Sequence, residues 1–360
     1  MGRVVLVTGV SGCVGRLLAQ ALAAEAGVDR VIGVDVATPP SPPVGVDVVR
    51  ADLRDVARVF AGAAVDTVVV AHLAPSPPGG RGRVAVREAN VIGSFHLLAA
   101  CQKAEGLRRL VVASSAAVYG ASPRDPALFT EDTVAKVMPV SGWGRDCIEV
   151  EGDVRGFSRR RPDVGVVTLR LADVVGPGIV TPLTRHLSLP AVPTVLGFDP
   201  RLQFLHVDDA VAALHLATTG TVTGTVNVAG DGVLLLSQVV RMTGRPAAPV
   251  PPPLTGAVGR VLRRFGSGDL SVDAVRFLRH GRGLDTTRMR TVLGFEPKLT
   301  SRDAFADFVE AACLCGPLSS GSVATAERRI LDLLGRFTAP VTAGEARVAT
   351  GVRAGDGAGR

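Results

Sequence analysis

The feature that most constrains this chain is an apolar run, Val4-Val5-Leu6-Val7, that passes straight into Thr8-Gly9-Val10-Ser11-Gly12-Cys13-Val14-Gly15. A segment of helical period follows at once, with Val14, Leu17, Leu18, Ala21 and Leu22 on one face and Gly27 as a C-terminal stop. Strand, glycine turn and helix in this order form a cradle for a dinucleotide. Gly9 permits the tight turn, Gly12 lets the backbone approach a pyrophosphate, and Gly15 lets the helix pack closely on the strand. The free N–H groups that open the helix, around Cys13 and Val14, face the phosphates. A second apolar run, Val31-Ile32-Gly33-Val34, ends in Asp35. A carboxylate at that spacing accepts hydrogen bonds from the adenosine ribose hydroxyls and repels a 2′-phosphate, so NAD(H) is expected rather than NADP(H).

Further strand-length runs, Val68 to Val70, Leu110 to Val112 and Val164 to Leu169, alternate with helical segments expected at about 84–104 and 145–160. Strands buried on both faces and separated by helices imply an α/β fold, a Rossmann-type doubly wound parallel sheet. After Arg170 the alternation lapses, then returns in 208–218 and 225–228. The expected organisation is therefore a dinucleotide-binding domain from 1–170 plus about 206–231. A smaller C-terminal substrate lobe would come from about 171–205 plus 232–316. Residues 317–360 hold an amphipathic set (Ile330, Leu331, Leu333, Leu334, Phe337) and an Ala-, Gly- and Arg-rich tail expected to be disordered.

The formal net charge of +7 rests almost wholly on arginine, with lysine only at 103, 136 and 298. These charges form no long block, and few aromatic residues interleave them as stacking platforms, which argues against a nucleic-acid partner. Cys13, Cys101, Cys147, Cys313 and Cys315 have no metal-ligand spacing and read as reduced thiols, so no metal site is expected. No apolar stretch is long enough to span a bilayer, and no leader is recognisable at Met1, so a cytoplasmic location is expected.

With these residues in place, the chain from about Val4 to Glu310 resembles the extended short-chain dehydrogenase/reductases. This is the NAD-dependent epimerase/dehydratase family, and the likeness is to an atypical, UDP-glucose 4-epimerase-like actinobacterial type. Thr8 to Gly15 is similar to its TGxxGxxG loop, and Asp52-Leu53 to its adenine-contacting pair. His72-Leu73-Ala74 resembles the segment passing the pyrophosphate and ribose, and Asn90 the family's structural asparagine. Ser114-Ser115-Ala116-Ala117-Val118-Tyr119-Gly120 resembles SSxxVYG, which gives Ser115 the catalytic serine's role and Ser114 a place beside the cofactor. Arg170 to Gly178 resembles RxxNVYGPG, Phe204 to Asp209 resembles FxHVDD, and Gly224 to Val228 and Asp285 to Arg288 complete the order.

The resemblance implies a Tyr-x-x-x-Lys pair on one helix, the tyrosinate exchanging protons and the lysine lowering its pKa and holding the nicotinamide ribose. With Glu149 taken as the glutamate four residues after the lysine, those positions hold Ser141 and Arg145. The chain's single tyrosine, Tyr119, already belongs to the VYG motif. Arginine keeps the positive field and a ribose contact but does not transfer protons as lysine does. Asp173 stands where the family's asparagine meets a substrate diphosphate, and Arg288 is a candidate partner for an anionic substrate. The expected function is an NAD(H)-dependent oxidoreductase, epimerase or dehydratase acting on a nucleotide-sugar or related alcohol or carbonyl compound, working as a homodimer. The alternative is a protein that holds NAD(H) as sensor or scaffold without chemistry.

Overall fold

The structure is a computed structural model and describes residues 3–39, 41–63, 65–70, 83–140, 142–264 and 271–314. Its frame is a seven-stranded sheet. Six strands come in chain order: β1 (Arg3–Thr8), β2 (Val28–Asp35), β3 (Val46–Arg50), β4 (Thr67–Val70), β5 (Arg109–Ser115) and β6 (Gly165–Leu171). The seventh, Gly224–Val228, returns late and pairs with β6. The spatial order is Gly224–Val228, β6, β5, β4, β1, β2, β3, and every neighbouring pair is parallel. Strand order reverses between β1 and β4, which makes that gap the topological switch point where ligands settle in such sheets.

The helices packed on this frame explain the apolar runs. Val5 and Val7 lie in one fully buried cluster with Leu18, Ala19 and Leu22 of α1 (Cys13–Ala23) and with Ala213 and Leu214 of the helix Val207–Thr219. Leu6, between them, points to the opposite cluster. The short helices α2 (Ala57–Ala61) and α3 (Arg83–Arg87) precede α4 (Gly93–Lys103), which α3 joins through a π turn over Glu88–Ile92. α5 (Gly142–Arg160) then adds Val150, Val154 and Phe157 to Leu97 and Leu98 of α4 in that second cluster. With both faces covered, nearly every β1 side chain is buried, so the strand reads as a continuous apolar run rather than an alternating one.

A third cluster, with Phe204 stacked on Phe305 at 4.9 Å between centroids, forms the core of the smaller lobe. The strand β7 (Asp173–Val175) leads out of β6 and pairs in parallel with Phe204–His206. Thus β7 links the sheet's carboxyl edge to the small lobe. The amphipathic set at 330–337 and the tail lie outside the described residues. Among the described residues no helix is long and apolar enough to cross a membrane.

Candidate functional site

The glycine turn closes as the sequence requires. Gly9 has φ of +75°, in the region where side chains are disfavoured, and Gly12 N–H bonds Gly9 O at 3.0 Å. A Cβ on Gly15 would stand 2.3 Å from Gly9 O, so only glycine lets the first turn of α1 sit this close to the loop. Gly12 caps the helix without a side-chain hydrogen bond, and the first turn carries no acidic residue. The opening N–H groups, including those of Cys13 and Val14, are therefore free of competing side-chain acceptors for an anion.

Asp35, at the carboxyl end of β2, accepts from the Ser11 N–H at 3.0 Å and the Ser11 hydroxyl at 2.6 Å through Oδ2. Its Oδ1 accepts from Ala37 N–H at 3.2 Å. The carboxylate is thus locked to the loop, half-buried, and adjacent to the switch point. This cradle fits a dinucleotide whose ribose presents hydroxyls. Beside it, a cavity of about 420 Å³ is lined by Gly176, Gly178, Ile179, Thr184 and Phe308. A Cβ on Gly178 would stand 3.8 Å from Cys13 Sγ, so the cavity adjoins the loop.

Ser115 ends β5 and opens a 3-10 turn, its Oγ accepting from Ala117 N–H at 3.1 Å. Its hydroxyl hydrogen meets no acceptor among the described residues. Tyr119, four residues on, is 1% exposed. Its hydroxyl donates to Asn227 Oδ1 at 2.7 Å and accepts from Arg170 Nη1 at 2.9 Å. Burial pushes its pKa up, with Arg170 opposing. The phenol is a core fixture.

Several expected site residues take other places. Arg145 does not meet Ser115. Its guanidinium pairs with Glu149 at 2.9 Å and donates to Val140 O, on an exposed face of α5 where Arg87 also reaches Glu149. The face turned to β5 instead carries Cys147, whose thiol bonds with Ser114 and with the backbone of Ser115. It also carries Glu151, which accepts from Ser114 Oγ at 2.6 Å and pairs with Arg170 at 2.7 Å. Residues 145 and 147 differ by about 200° around a helix, which explains why one points out and the other in. One turn before Cys147 on the inner face stands Trp143, packed against the core cluster that contains Ala116 and Val118.

Ser114 is therefore turned into the interior. Leu53 is buried against Gly93 at the start of α4. Asn90 is buried in the π turn and donates to Asp146 at 3.2 Å, bracing that turn against α5. The Asp52 carboxylate is engaged by the N–H and guanidinium of Arg54, which holds its pKa below the usual range. Arg288 pairs with Asp132 at 2.5 Å, drawn there by an acid distant in sequence. Ser141, His72, Leu73 and Ala74 lie outside the described residues.

Asp173 lies at the carboxyl edge. It follows Leu171, which is in register with Ser115 across β5 and β6. Burial raises its pKa, and Arg282 partly offsets the rise. Arg282 donates to Gly120 O at 3.0 Å and stacks over Phe277 at 4.3 Å, which ties the small lobe to the turn begun at Ser115. Among the described residues, no group of three or more His, Cys, Asp or Glu side chains is placed to hold a metal.

The comparisons with known proteins agree with this geometry. An uncharacterized protein of Mycobacterium bovis is 40% identical over 341 residues, covering 93% of this chain and 91% of its own length. A 3-diazoavenalumate denitrifying reductase of Streptomyces sp. is 30% identical over 316 residues, covering 81% of this chain and 95% of its own. Among solved structures, MoeE5 in complex with UDP-glucuronic acid and NAD has a TM-score of 0.66 at 26% identity, over 87% of this chain and 99% of that one. UDP-glucose 4-epimerase of Thermotoga maritima, with UDP-glucose, has a TM-score of 0.65 at 21% identity, over 86% and 98%, and shows the shared fold. The model of the NAD dependent epimerase/dehydratase family matches residues 5–229. The chain belongs to the NAD dependent epimerase/dehydratase family, and NAD is the cofactor that its glycine loop and Asp35 accommodate.

Proposed function

We propose that the protein is an NAD-dependent oxidoreductase that acts on a nucleotide-sugar or a related alcohol or carbonyl compound. The observation that carries this reading is the Ser115 hydroxyl, free to donate at the end of β5, on the same edge of the sheet as the loop–Asp35 cradle. NAD, when bound, exchanges a hydrogen and an electron pair with a substrate carbon. Ser115 orients the reacting oxygen, and the small lobe closes the substrate side through β7 and Arg282. The likeness to MoeE5, solved with UDP-glucuronic acid, supports the nucleotide-sugar class, and the diazo-compound reductase relative supports net reduction as a further outcome.

On the inner face of α5, we place Trp143 and Cys147, rather than Ser141 and Arg145, where the family pair stands. The supporting observation is that Glu151, four residues after Cys147, is the glutamate joined to Arg170. An indole and a buried thiol exchange protons poorly, and burial pushes the Cys147 thiol well above its ordinary range. That observation also favours a second reading, a protein that holds NAD without turnover. A homodimer is proposed through the surface of α4 and α5, supported by exposed Ile92 and Phe95, 44% and 56% accessible.

The test is release of bound nucleotide from the purified protein, then absorbance at the NADH band with a panel of UDP- and dTDP-sugars. Turnover that Ser115→Ala abolishes supports the enzyme, whereas tight NAD binding with no turnover supports the second reading.

A further inference from the structure

With a tryptophan and a buried cysteine on the inner face of α5, a hydroxyl-to-carbonyl conversion needs its proton carried by another group. The contacts eliminate most candidates near Ser115. Tyr119 is committed to Asn227 and Arg170. His206 is held by Asp307 at 3.0 Å and by the N–H of Asp208. Arg145 faces away.

Asp173 differs from all of these. It opens β7 two residues past Leu171, the register partner of Ser115. The strand at Asp173–Val175 belongs to a second sheet, so the chain itself sets the bound: two residues reach at most about 7 Å from Leu171, whose strand lies about 4.8 Å from that of Ser115, and the Asp173 Cα stays within about 12 Å of that of Ser115. The residue is half-buried, and its carboxylate accepts no hydrogen bond from the described residues. Arg282 faces it without forming an ion pair and is itself fixed to Gly120 O, on the turn that Ser115 begins.

We propose that Asp173 is the proton carrier of this site, working opposite Ser115 on the same substrate oxygen; the proposal rests on the oxidoreductase reading above. In the oxidative direction the substrate O–H bond breaks and its proton passes to the Asp173 carboxylate. NAD held by the glycine loop and Asp35 would take up the hydrogen and both electrons of the adjacent C–H bond as the second carbon–oxygen bond forms. The reductive direction returns the same proton and electron pair. Ser115 donates a hydrogen bond to the oxygen throughout and changes no protonation state.

The environment suits this role. Burial raises the Asp173 pKa from its ordinary value, the direction that suits a group that both accepts and gives a proton, while Arg282 opposes the rise. Asp125 and Asp273 in turn act on Arg282. On the elements packed against β7, four charged groups have other partners. His206 is bound as described, and Asp209 accepts from the N–H groups of Lys298 and Leu299. Asp307 is paired with His206, and Asp208 lies 3.6 Å from the other nitrogen of that ring.

The experiment uses the full chain with NAD, as wild type and Asp173→Asn, with UDP- and dTDP-sugars as probes. Oxidation is followed at the NADH band across pH. In parallel, carboxyl-labelled aspartate is titrated by carbon NMR in the NAD complex, the Asp173 signal being assigned by its loss in D173N. The substitution is expected to lower kcat by about 10²- to 10⁴-fold and to remove the acidic limb of the pH profile. KM and NAD affinity stay within about threefold. The Asp173 carboxyl titrates above the ordinary range. A D173N enzyme that keeps its kcat and acidic limb overturns the proposal while leaving the oxidoreductase reading intact. A wild type that turns over none of the sugars sinks that reading for these substrates. The NMR titration then decides Asp173 alone, and a carboxyl that titrates at or below the ordinary range overturns its role.

Discussion

Ser11 and Asp35 are joined twice, the Asp35 Oδ2 accepting both the backbone N–H and the hydroxyl of Ser11 at 3.0 and 2.6 Å. The acid that selects the ribose is thereby fixed to the loop that holds the pyrophosphate. Ser11→Ala removes the shorter bond and leaves the carboxylate less confined. It is expected to weaken NAD binding by roughly three- to tenfold, since a hydrogen bond to a charged group contributes about 1.5–3 kcal/mol and only the part spent on preorganising the carboxylate reaches the cofactor. Calorimetric titration with NAD checks this, and unchanged affinity would show that the bond does not preorganise the site.

Glu151 is the hub beneath the site, holding Arg170 through both oxygens and Ser114 through one. Glu151→Ala leaves the Arg170 guanidinium buried beside Tyr119 without its carboxylate. The expected loss is about 3–5 kcal/mol of folding stability, read by chemical denaturation. A loss under about 1 kcal/mol, the range of exposed pairs, would mean that the pair is solvated in the folded protein.

The chain's single tyrosine is assigned to packing rather than to chemistry. Tyr119→Phe keeps the stack on Phe129, at 4.9 Å between centroids, but leaves Asn227 and Arg170 each short of a partner. Stability is expected to fall by about 1–3 kcal/mol, with NAD affinity and turnover unchanged. Loss of turnover at full NAD occupancy would return Tyr119 to the reaction.

Asp173 has a pH-dependent cost. Its folded-state pKa is raised by burial, so its contribution to stability is fully present below the unfolded pKa and is lost as pH rises through the folded one. At neutral pH the ionised group opposes folding, and D173N is expected to melt higher than wild type there. The difference shrinks as pH falls below the carboxylate range. Equal melting temperatures at neutral pH would contradict the burial argument.

The glycine turn and its link to Asp35 were legible because their constraints are local. A Cβ on Gly15 collides with Gly9 O a few residues away, and Asp35 follows one helix and one strand later, so spacing alone encodes the geometry. The strands were legible because burial on both faces leaves continuous apolar runs. The phase of α5 was not, since Glu149 and Glu151 are both plausible anchors two residues apart. Two residues turn a helix by about 200°, and which glutamate faces the interior depends on Arg170 on a neighbouring strand, which pairs with Glu151. The partner of Arg288 was hidden for a similar reason, because Asp132 lies far away in sequence. The same limit hid the free carboxylate of Asp173, which sequence placed at the substrate but gave no proton to carry.

The most direct test of the account is calorimetric titration of the wild type and Asp35→Ala with NAD and with NADP. The account predicts that wild type binds NAD at least about tenfold more tightly than NADP, and that Asp35→Ala loses about 10- to 100-fold in NAD affinity while its preference over NADP narrows. No NAD binding by the wild type, or an Asp35→Ala protein that binds NAD as tightly as wild type, would contradict it.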